Sequence, residues 1–195
     1  MFILYAIPIG ILLGLLLGGR PTGLAALQFR WPWLIIAGLL VQVVLFTDAV
    51  AARVGELGPA VGPIIYVGST AAVFAGVLRN VRIPGMALVA LGALSNLAAI
   101  AANGGYMPAG AAAMAALGKT DPTIYSNSAV VTHPALEPLT DIFAIPAWVP
   151  FANIFSIGDV LIGLGVVVIV AAAMRLDPAS VVAPAPTRDE ATRPA

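Results

Sequence analysis

Five apolar blocks, each close to the roughly 20 residues that a helix needs to cross a bilayer, follow one another along the chain. Hydrophobic residues make up 61% of the 195 residues and charged residues only 9%, whereas a soluble domain usually carries about a quarter charged residues. Because lipid offers the backbone no hydrogen-bond partner, such blocks satisfy their own backbone groups as helices. We therefore predict an all-α fold, a polytopic membrane helix bundle of about five transmembrane helices.

The predicted helices form one transmembrane domain over residues 1–175, followed by a tail. A loop from about residue 103 to residue 150 interrupts the domain, and Asn103-Gly104-Gly105 predicts a left-handed helix stop at its start. Prolines disfavour long regular structure in most of this loop, although Gly110 to Leu117 could form a short helix. The tail, residues 176–195, is rich in Pro and Ala and is predicted to be disordered. The five predicted helices run from about Phe2 to Gly18, Pro32 to Thr47, Ile64 to Leu78, Pro84 to Ala102 and Asn153 to Met174.

The distribution of basic residues predicts an orientation, since cytoplasmic loops of membrane proteins carry an excess of Lys and Arg. The loops after the first, third and fifth helices hold most of them, and the opposite loops hold two. We therefore predict an extracytoplasmic N-terminus, an extracytoplasmic loop 103–150 and a cytoplasmic C-terminus. The residues on the first side are Arg20, Arg30, Arg79, Arg82 and Arg175, and those on the other are Arg53 and Lys119.

Composition also disfavours several functional classes. The formal net charge is zero and no basic cluster occurs, which argues against a nucleic-acid partner. With no cysteine and one histidine, thiol chemistry and a zinc site built from protein ligands lack their residues, so we expect no metal and no cofactor. No phosphate-binding glycine loop or serine-nucleophile elbow is present.

Polar residues within the last two predicted helices mark the candidate site. Asp159 stands out because a carboxylate at mid-membrane costs roughly 2.5–3.5 kcal/mol and is usually functional. Asn153, Ser156 and Asp159 are spaced three apart, which aligns them on one face of a continuous helix. Asn96 and Asn103 extend along the preceding helix. We predict that these residues line an outward-facing polar pocket and bind its ligand: Asn96, Asn103, Asn153, Ser156 and Asp159.

The state of Asp159 stays open at this level. No Lys or Arg lies between Lys119 and Arg175. Asp159 is therefore partly protonated, hydrogen-bonded to Asn and Ser neighbours, or paired with a distant cation such as Arg53. It either serves a function or fixes one helix against the other. For Asp141, within the loop, helix capping or solvation is the simpler interpretation.

Gly10, Gly14 and Gly18 recur every four residues on one face of the first helix. Small residues at this spacing let two membrane helices approach closely. The face predicts either packing within the bundle, which we favour, or contact with a partner membrane protein.

Two segments, Asn103–Pro108 (NGGYMP) and Asn153–Asp159 (NIFSIGD), resemble recurring segments of a family of uncharacterised bacterial membrane proteins that is classed as a domain of unknown function. The resemblance extends over nearly all of the chain before the tail. It implies a multi-pass protein of the bacterial inner (plasma) membrane and supplies no activity.

The last two predicted helices also resemble those of lipoprotein signal peptidase, an aspartic protease that works at the outer face of the membrane. Phe155–Asp159 is similar to that family's Phe-Asn-x-Ala-Asp segment, and Gly92–Leu97 to its Gly-Ala-x-Gly-Asn-Leu segment. The resemblance implies a catalytic role for Asp159. However, the second catalytic aspartate of the family falls at Ala99 and its following arginine at Ile100, and the mechanism needs two carboxylates.

We therefore favour a non-enzymatic subunit, or a module that binds lipid, lipid-modified peptide or a partner helix, with a polar pocket between the fourth and fifth helices under an aromatic loop. The first alternative is a membrane-embedded hydrolase that uses Asp159 and Asp141 as a rearranged pair on a lipid-anchored substrate. The second is a small transporter, against which the lack of an inverted repeat counts.

Overall fold

The computed structural model describes residues 2–118, 128–129 and 133–177. Lys119 and the predicted disordered tail beyond Asp177 lie outside the described residues. The described chain is mostly helical, as predicted, with four strands of two residues each. The α-helices are α1 (Ala6–Leu16), α2 (Pro32–Leu45), α3 (Asp48–Glu56), α4 (Val61–Leu78), α5 (Met86–Ala102), α6 (Ala111–Ala116) and α7 (Ile157–Ala173). Three short 3₁₀ helices lie at Phe2–Tyr5, Pro21–Ala26 and Glu137–Leu139.

The strands form two pairs in the loop between α5 and α7. β1 (Met107–Pro108) pairs in parallel with β2 (Ser128–Ala129), and β3 (Phe143–Ala144) pairs antiparallel with β4 (Ile154–Phe155). The rings of Phe143 and Phe155 stack with their centroids 5.5 Å apart. The predicted short alanine-rich helix is present as α6.

Two sequence predictions about helix boundaries are wrong. The segment Asp48–Glu56, which was expected to be a loop, is the helix α3, bent by 82° from α2. The last helix begins at Ile157 rather than at Asn153, because Ser156 caps its N-terminus in an extended conformation. By contrast, the left-handed stop after α5 is confirmed, with φ values of 71° at Gly104 and 88° at Gly105.

The long helices alternate in direction. Gly38 of α2 faces Val73 of α4, while Gly76 faces Ile35, so α2 and α4 are antiparallel. The same test makes α5 antiparallel to α7, since Gly92 faces Gly158 and Gly85 faces Gly165. Two apolar clusters join α4 to α5, one near each end of the pair. The members of the first cluster are Leu45, Tyr66, Ala99, Ile100 and Met107, and those of the second are Val77, Met86, Val89, Ala90 and Ile169.

The first and last helices are neighbours and run in parallel. Gly10 packs on Val170 and Gly14 on Met174, whereas Gly18, with φ of 78°, follows the helix and has open space around it. Two glycines of the predicted interaction face are therefore covered within the chain. A partner protein at this face stays a prediction.

The two ends of the bundle differ in charge. One end collects the termini of α1, α4 and α7, because the Arg20 N–H donates to the Met174 carbonyl oxygen and the Asn80 amide binds the Arg30 backbone. Five arginines lie there: Arg20, Arg30, Arg79, Arg82 and Arg175. The opposite end holds α3, the loop before α7 and the N-terminus, where the Tyr5 hydroxyl donates to the Pro150 carbonyl oxygen. Most carboxylates of the described chain lie at that end.

Among the described residues, one helix, α4, is long and apolar enough to cross a membrane by itself. The α2–α3 pair reaches the required length only if the two bent helices form one span, and the apolar helices at Ile3–Leu16, Met86–Ala102 and Ile157–Ala173 are shorter.

Candidate functional site

The N-terminus of α7 is closed by a reciprocal pair of hydrogen bonds. Ser156 is the N-cap, and its Oγ accepts from the Asp159 backbone N–H at 3.1 Å. The Asp159 Oδ2 in turn accepts from the Ser156 N–H at 3.0 Å. This capping box satisfies two backbone donors that a helix start otherwise leaves unpaired. The spacing Ser-x-x-Asp is the sequence feature that marks a capping box, but Ser156 and Asp159 were expected to lie on one face of a continuous helix.

Asn96 of α5 completes the cluster and links it to a second helix. Its Nδ2 donates to Asp159 Oδ1 at 3.0 Å, and the Ser156 hydroxyl donates to Asn96 Oδ1 at 2.8 Å. Ser156 is 0% exposed, and the other two side chains are half-buried. Each of the three side chains therefore bonds both others, directly or through a backbone amide. We refer to Asn96, Ser156 and Asp159 as the polar junction.

Of the alternatives that the sequence left open for Asp159, the structure shows hydrogen bonds to Asn and Ser neighbours. The proposed distant cation, Arg53, instead pairs with Glu56 on its own helix at 3.1 Å. Both Asp159 oxygens accept hydrogen bonds within the junction: Oδ2 caps α7, and Oδ1 holds α7 against Asn96 of α5.

Glycines make this close approach of α5 and α7 possible. A Cβ on Gly158 would collide with Asn96 Oδ1, and a Cβ on Gly92 would collide with the Gly158 carbonyl oxygen. The missing side chains bring the two backbones near enough for the short Asn and Asp side chains to meet. Gly92 entered the sequence predictions only as part of the segment Gly92–Leu97, without this packing role.

Asn103 lies beyond the polar junction, at the C-terminal end of α5. Its Nδ2 donates to the Ala99 carbonyl oxygen at 2.7 Å and to that of Ala135 at 2.8 Å, and its Oδ1 accepts from the Ala135 N–H at 2.8 Å. Asn103 therefore caps α5 and attaches the returning loop to it.

Asn153 lies outside α7, so its predicted alignment with Ser156 and Asp159 on one helical face is wrong. It precedes β4, and its Nδ2 donates to the Ile154 carbonyl oxygen at 2.7 Å. Its own carbonyl oxygen accepts from the Ile145 N–H, which continues the β3–β4 pairing.

Asp141 is held by its backbone in the middle of the loop. Its N–H donates to the Pro108 carbonyl oxygen and its carbonyl oxygen accepts from the Gly110 N–H, in a bridge opposite Ala109. The residue is 7% exposed. Asp141 is therefore buried rather than solvated, so the solvation expected for it is wrong, while the capping of a helix by its side chain stays a prediction.

Ala99 occupies the position where the resemblance to lipoprotein signal peptidase would require a second aspartate. It is 0% exposed and packs in the apolar cluster that includes Leu45 and Tyr66. An unpaired carboxylate in such surroundings would pay a large desolvation penalty. The packing therefore favours the small apolar side chain and offers no site for the second catalytic carboxylate.

Two cavities lie against α3, at the carboxylate-bearing end of the bundle. The first, of about 590 Å³, lies between α3 and the start of α4, and Asp48 and Tyr106 add polar groups to its lining. The second, of about 320 Å³, lies between α2 and α3 and is almost wholly apolar. Leu45 and Val54 line both cavities, so the two are adjacent. Neither lining includes a residue of the polar junction. Neither cavity was expected from the sequence, because α3, which lines both, was expected to be a loop.

Comparison with known proteins gives a family without an assigned activity. No curated protein and no solved structure matches the chain. The model of one protein family matches residues 26–171, which is most of the chain and includes the helices α2 to α6 and most of α7. The chain therefore belongs to a family of unknown function, DUF5317.

Proposed function

We propose that this chain is a multi-pass membrane protein that crosses the bilayer five times. The supporting observation is the apolar surface of α1 and α2. Leu16 and Val43 are 75% and 66% exposed, and most of the large apolar side chains on these two helices are similarly uncovered. Monomeric soluble proteins rarely expose contiguous apolar patches above a few hundred Å². Lipid is the solvent that such a surface fits.

Helix length supports the same proposal. At 1.5 Å per residue, α4 extends about 27 Å and α5 and α7 about 26 Å each, close to a hydrocarbon core of about 30 Å. The first span combines α1 with the 3₁₀ turn before it. The second, α2, is short, and Trp31 and Trp33 place aromatic rings where its N-terminus would meet the interface.

The separation of charge supports an extracytoplasmic N-terminus. Five arginines at one end of the bundle would lie in the cytoplasm, with α3 and the long loop outside. The absence of native cysteine permits a direct test with single introduced cysteines. A membrane-impermeant maleimide should label Leu57→Cys on intact cells and Val81→Cys only after permeabilisation. The reverse pattern, or no protection at either position, would overturn the proposed topology.

For the activity, we infer a non-enzymatic module that binds a membrane lipid beneath α3. The adjacent cavities carry this inference. The apolar cavity is lined by Leu40, Val41 and Val44 of α2, which belong to the surface that lipid would cover. An acyl chain could enter there directly from the bilayer. The larger cavity offers Asp48 and Tyr106 for a polar headgroup.

The polar junction supports the non-enzymatic assignment. Its three side chains are committed to one another and to the capping of α7, while a carboxylate pair of the aspartic-protease type would need a second acid close by. The position that the resemblance would give to that acid is the buried Ala99.

A cavity-filling variant tests lipid binding. A Cβ on Gly55, which lines the larger cavity, meets no atom within 4 Å, so Gly55→Trp places an indole in open space beside the site. Gly68→Trp is the matched control, since Gly68 on α4 has equally open surroundings away from α3. A photoactivatable phosphatidylethanolamine in proteoliposomes should label the α3 peptide in the wild type and in Gly68→Trp.

The Gly55→Trp variant should lose most of the labelling of α3 while α1 and α2 remain labelled by surrounding lipid. Equal labelling of α3 in all three proteins would overturn the site beneath α3. The topology would be unaffected by that result, since cysteine accessibility measures it independently.

A further inference from the structure

A third cavity lies at the opposite end of the bundle, among the arginines. Its volume is about 510 Å³, within the range of roughly 300–1,000 Å³ that is usual for small-molecule sites. It is formed by the segment before α2, the turn between α4 and α5, and the residue Leu176 after α7.

Three arginines line this cavity: Arg30, Arg79 and Arg82. No carboxylate lines it, and within residues 2–118 and 133–177 none of the three arginines has an acidic partner in an ion pair. The described lining therefore concentrates positive charge on one concave surface, and such a surface attracts anions.

The cavity wall is held in place by specific contacts. The Asn80 Oδ1 accepts from the Arg30 N–H at 2.7 Å, and its Nδ2 donates to the Arg30 carbonyl oxygen at 2.7 Å. Asn80 is buried, and its amide also donates to the Gly76 carbonyl oxygen of α4. The Arg79 guanidinium lies 5.8 Å from the ring centroid of Trp31, a cation–π contact that orients it. The arginine-bearing segments are thus fixed relative to one another before any ligand arrives.

We propose that this cavity binds a phosphate-bearing anion. Arginine suits this ligand because its planar guanidinium donates two parallel hydrogen bonds to phosphate oxygens. Apart from Gln28 and Asn80, the remaining lining is apolar, which favours a phosphate that carries hydrocarbon. The phosphate headgroup of an anionic lipid fits this combination, and basic pockets between membrane helices bind such headgroups. Free phosphate shares the charged half of this chemistry.

The test separates a site from general attraction to positive charge. Arg79→Gln/Arg82→Gln removes two charges from the cavity. Arg20→Gln/Arg175→Gln removes two charges from the same end of the bundle, at exposed positions that do not line it. Binding of cardiolipin and of inorganic phosphate is measured on the purified full-length protein in neutral detergent at 0.15 M salt, where about 8 Å of screening suppresses long-range attraction.

We expect the cavity variant to bind cardiolipin at least tenfold more weakly and the control variant to stay within about threefold of the wild type, because hydrogen bonds to charged groups are local. An unchanged unfolding transition in phosphatidylcholine shows that both variants are folded. Saturable binding of inorganic phosphate with the same loss in the cavity variant would support the site and name free phosphate as its ligand. Equal losses in the two variants, or no binding of either probe, would overturn the proposal.

Discussion

Replacement of Asn96 by Ala should weaken the contact between α5 and α7 by an amount that the geometry allows us to estimate. The substitution removes the bond to Asp159 and the acceptor for the Ser156 hydroxyl proton. Side-chain hydrogen bonds between membrane helices average about 0.6 kcal/mol and reach about 1.7. Because Ser156 is completely buried, water cannot replace the lost hydrogen-bond acceptor of its hydroxyl, and the upper part of that range applies. We expect a loss of about 2 kcal/mol in the free energy of unfolding, measured by titration with dodecyl sulfate in mixed micelles.

The matched control lies next to it in the sequence. The Ser95 hydroxyl is buried and finds no hydrogen-bond partner among the described residues, so Ser95→Ala should leave stability within about 0.5 kcal/mol of the wild type or raise it. Combined with Ser156→Ala, the Asn96 variant should show a coupling energy of about 1 kcal/mol. An Asn96 variant as stable as the control, or a coupling energy of zero, would refute the role of the polar junction.

Three further predictions use the same unfolding assay or hydrogen exchange. Gly92→Ala should lower the free energy of unfolding by about 1–3 kcal/mol, because its Cβ would collide with a carbonyl oxygen of α7. Gly68→Ala, in open space on α4, should raise it by about 0.5–1 kcal/mol. Effects of equal sign would contradict the packing. Asn103→Ala should speed amide exchange over residues 133–139 at least tenfold, because the attachment of this loop to α5 is lost. Asn80→Ala should cost about 2 kcal/mol through its bonds to the Arg30 backbone, and unchanged stability would show that these bonds are replaced by water.

The long helices could be predicted because their cause is local. An apolar block must satisfy its own backbone groups, and the resulting periodic structure depends little on what surrounds it. For this reason the predicted bounds of the third helix agree with α4 to within three residues at its start and exactly at Leu78. The left-handed stop at Gly104 and Gly105 was also predictable, since glycine adopts positive φ without steric cost.

The helix α3 could not be found by the same reasoning, because it is short and amphipathic and carries three charged residues. The sequence features that mark α3 are a Thr at its N-cap position, Thr47, an acidic residue in its first turn, Asp48, and a basic residue in its last turn, Arg53. The charges of Asp48 and Arg53 complement the helix dipole. Hydrophobicity alone does not indicate such a helix.

The candidate site was only partly predictable. Asn96, Ser156 and Asp159 were each visible as polar groups in apolar surroundings, but which of them meet depends on the register between α5 and α7. That register is set by glycine contacts and by the start of α7 at Ile157, both of which are properties of packed helices. Asn153 was misassigned for the same reason, since the helical turn that would align it with Ser156 does not form.

The parallel packing of α1 against α7 has a consequence for the order of assembly. Translation produces α1 before α7, so the glycine-lined face at Gly10 and Gly14 lacks its neighbours on α7 while the intervening helices are being synthesised. The antiparallel pair α2–α4, by contrast, forms between helices separated by only residues 46–60, whereas residues 103–156 separate α5 from α7. The contact between α1 and α7 therefore cannot form until every other helix of the described chain has been synthesised.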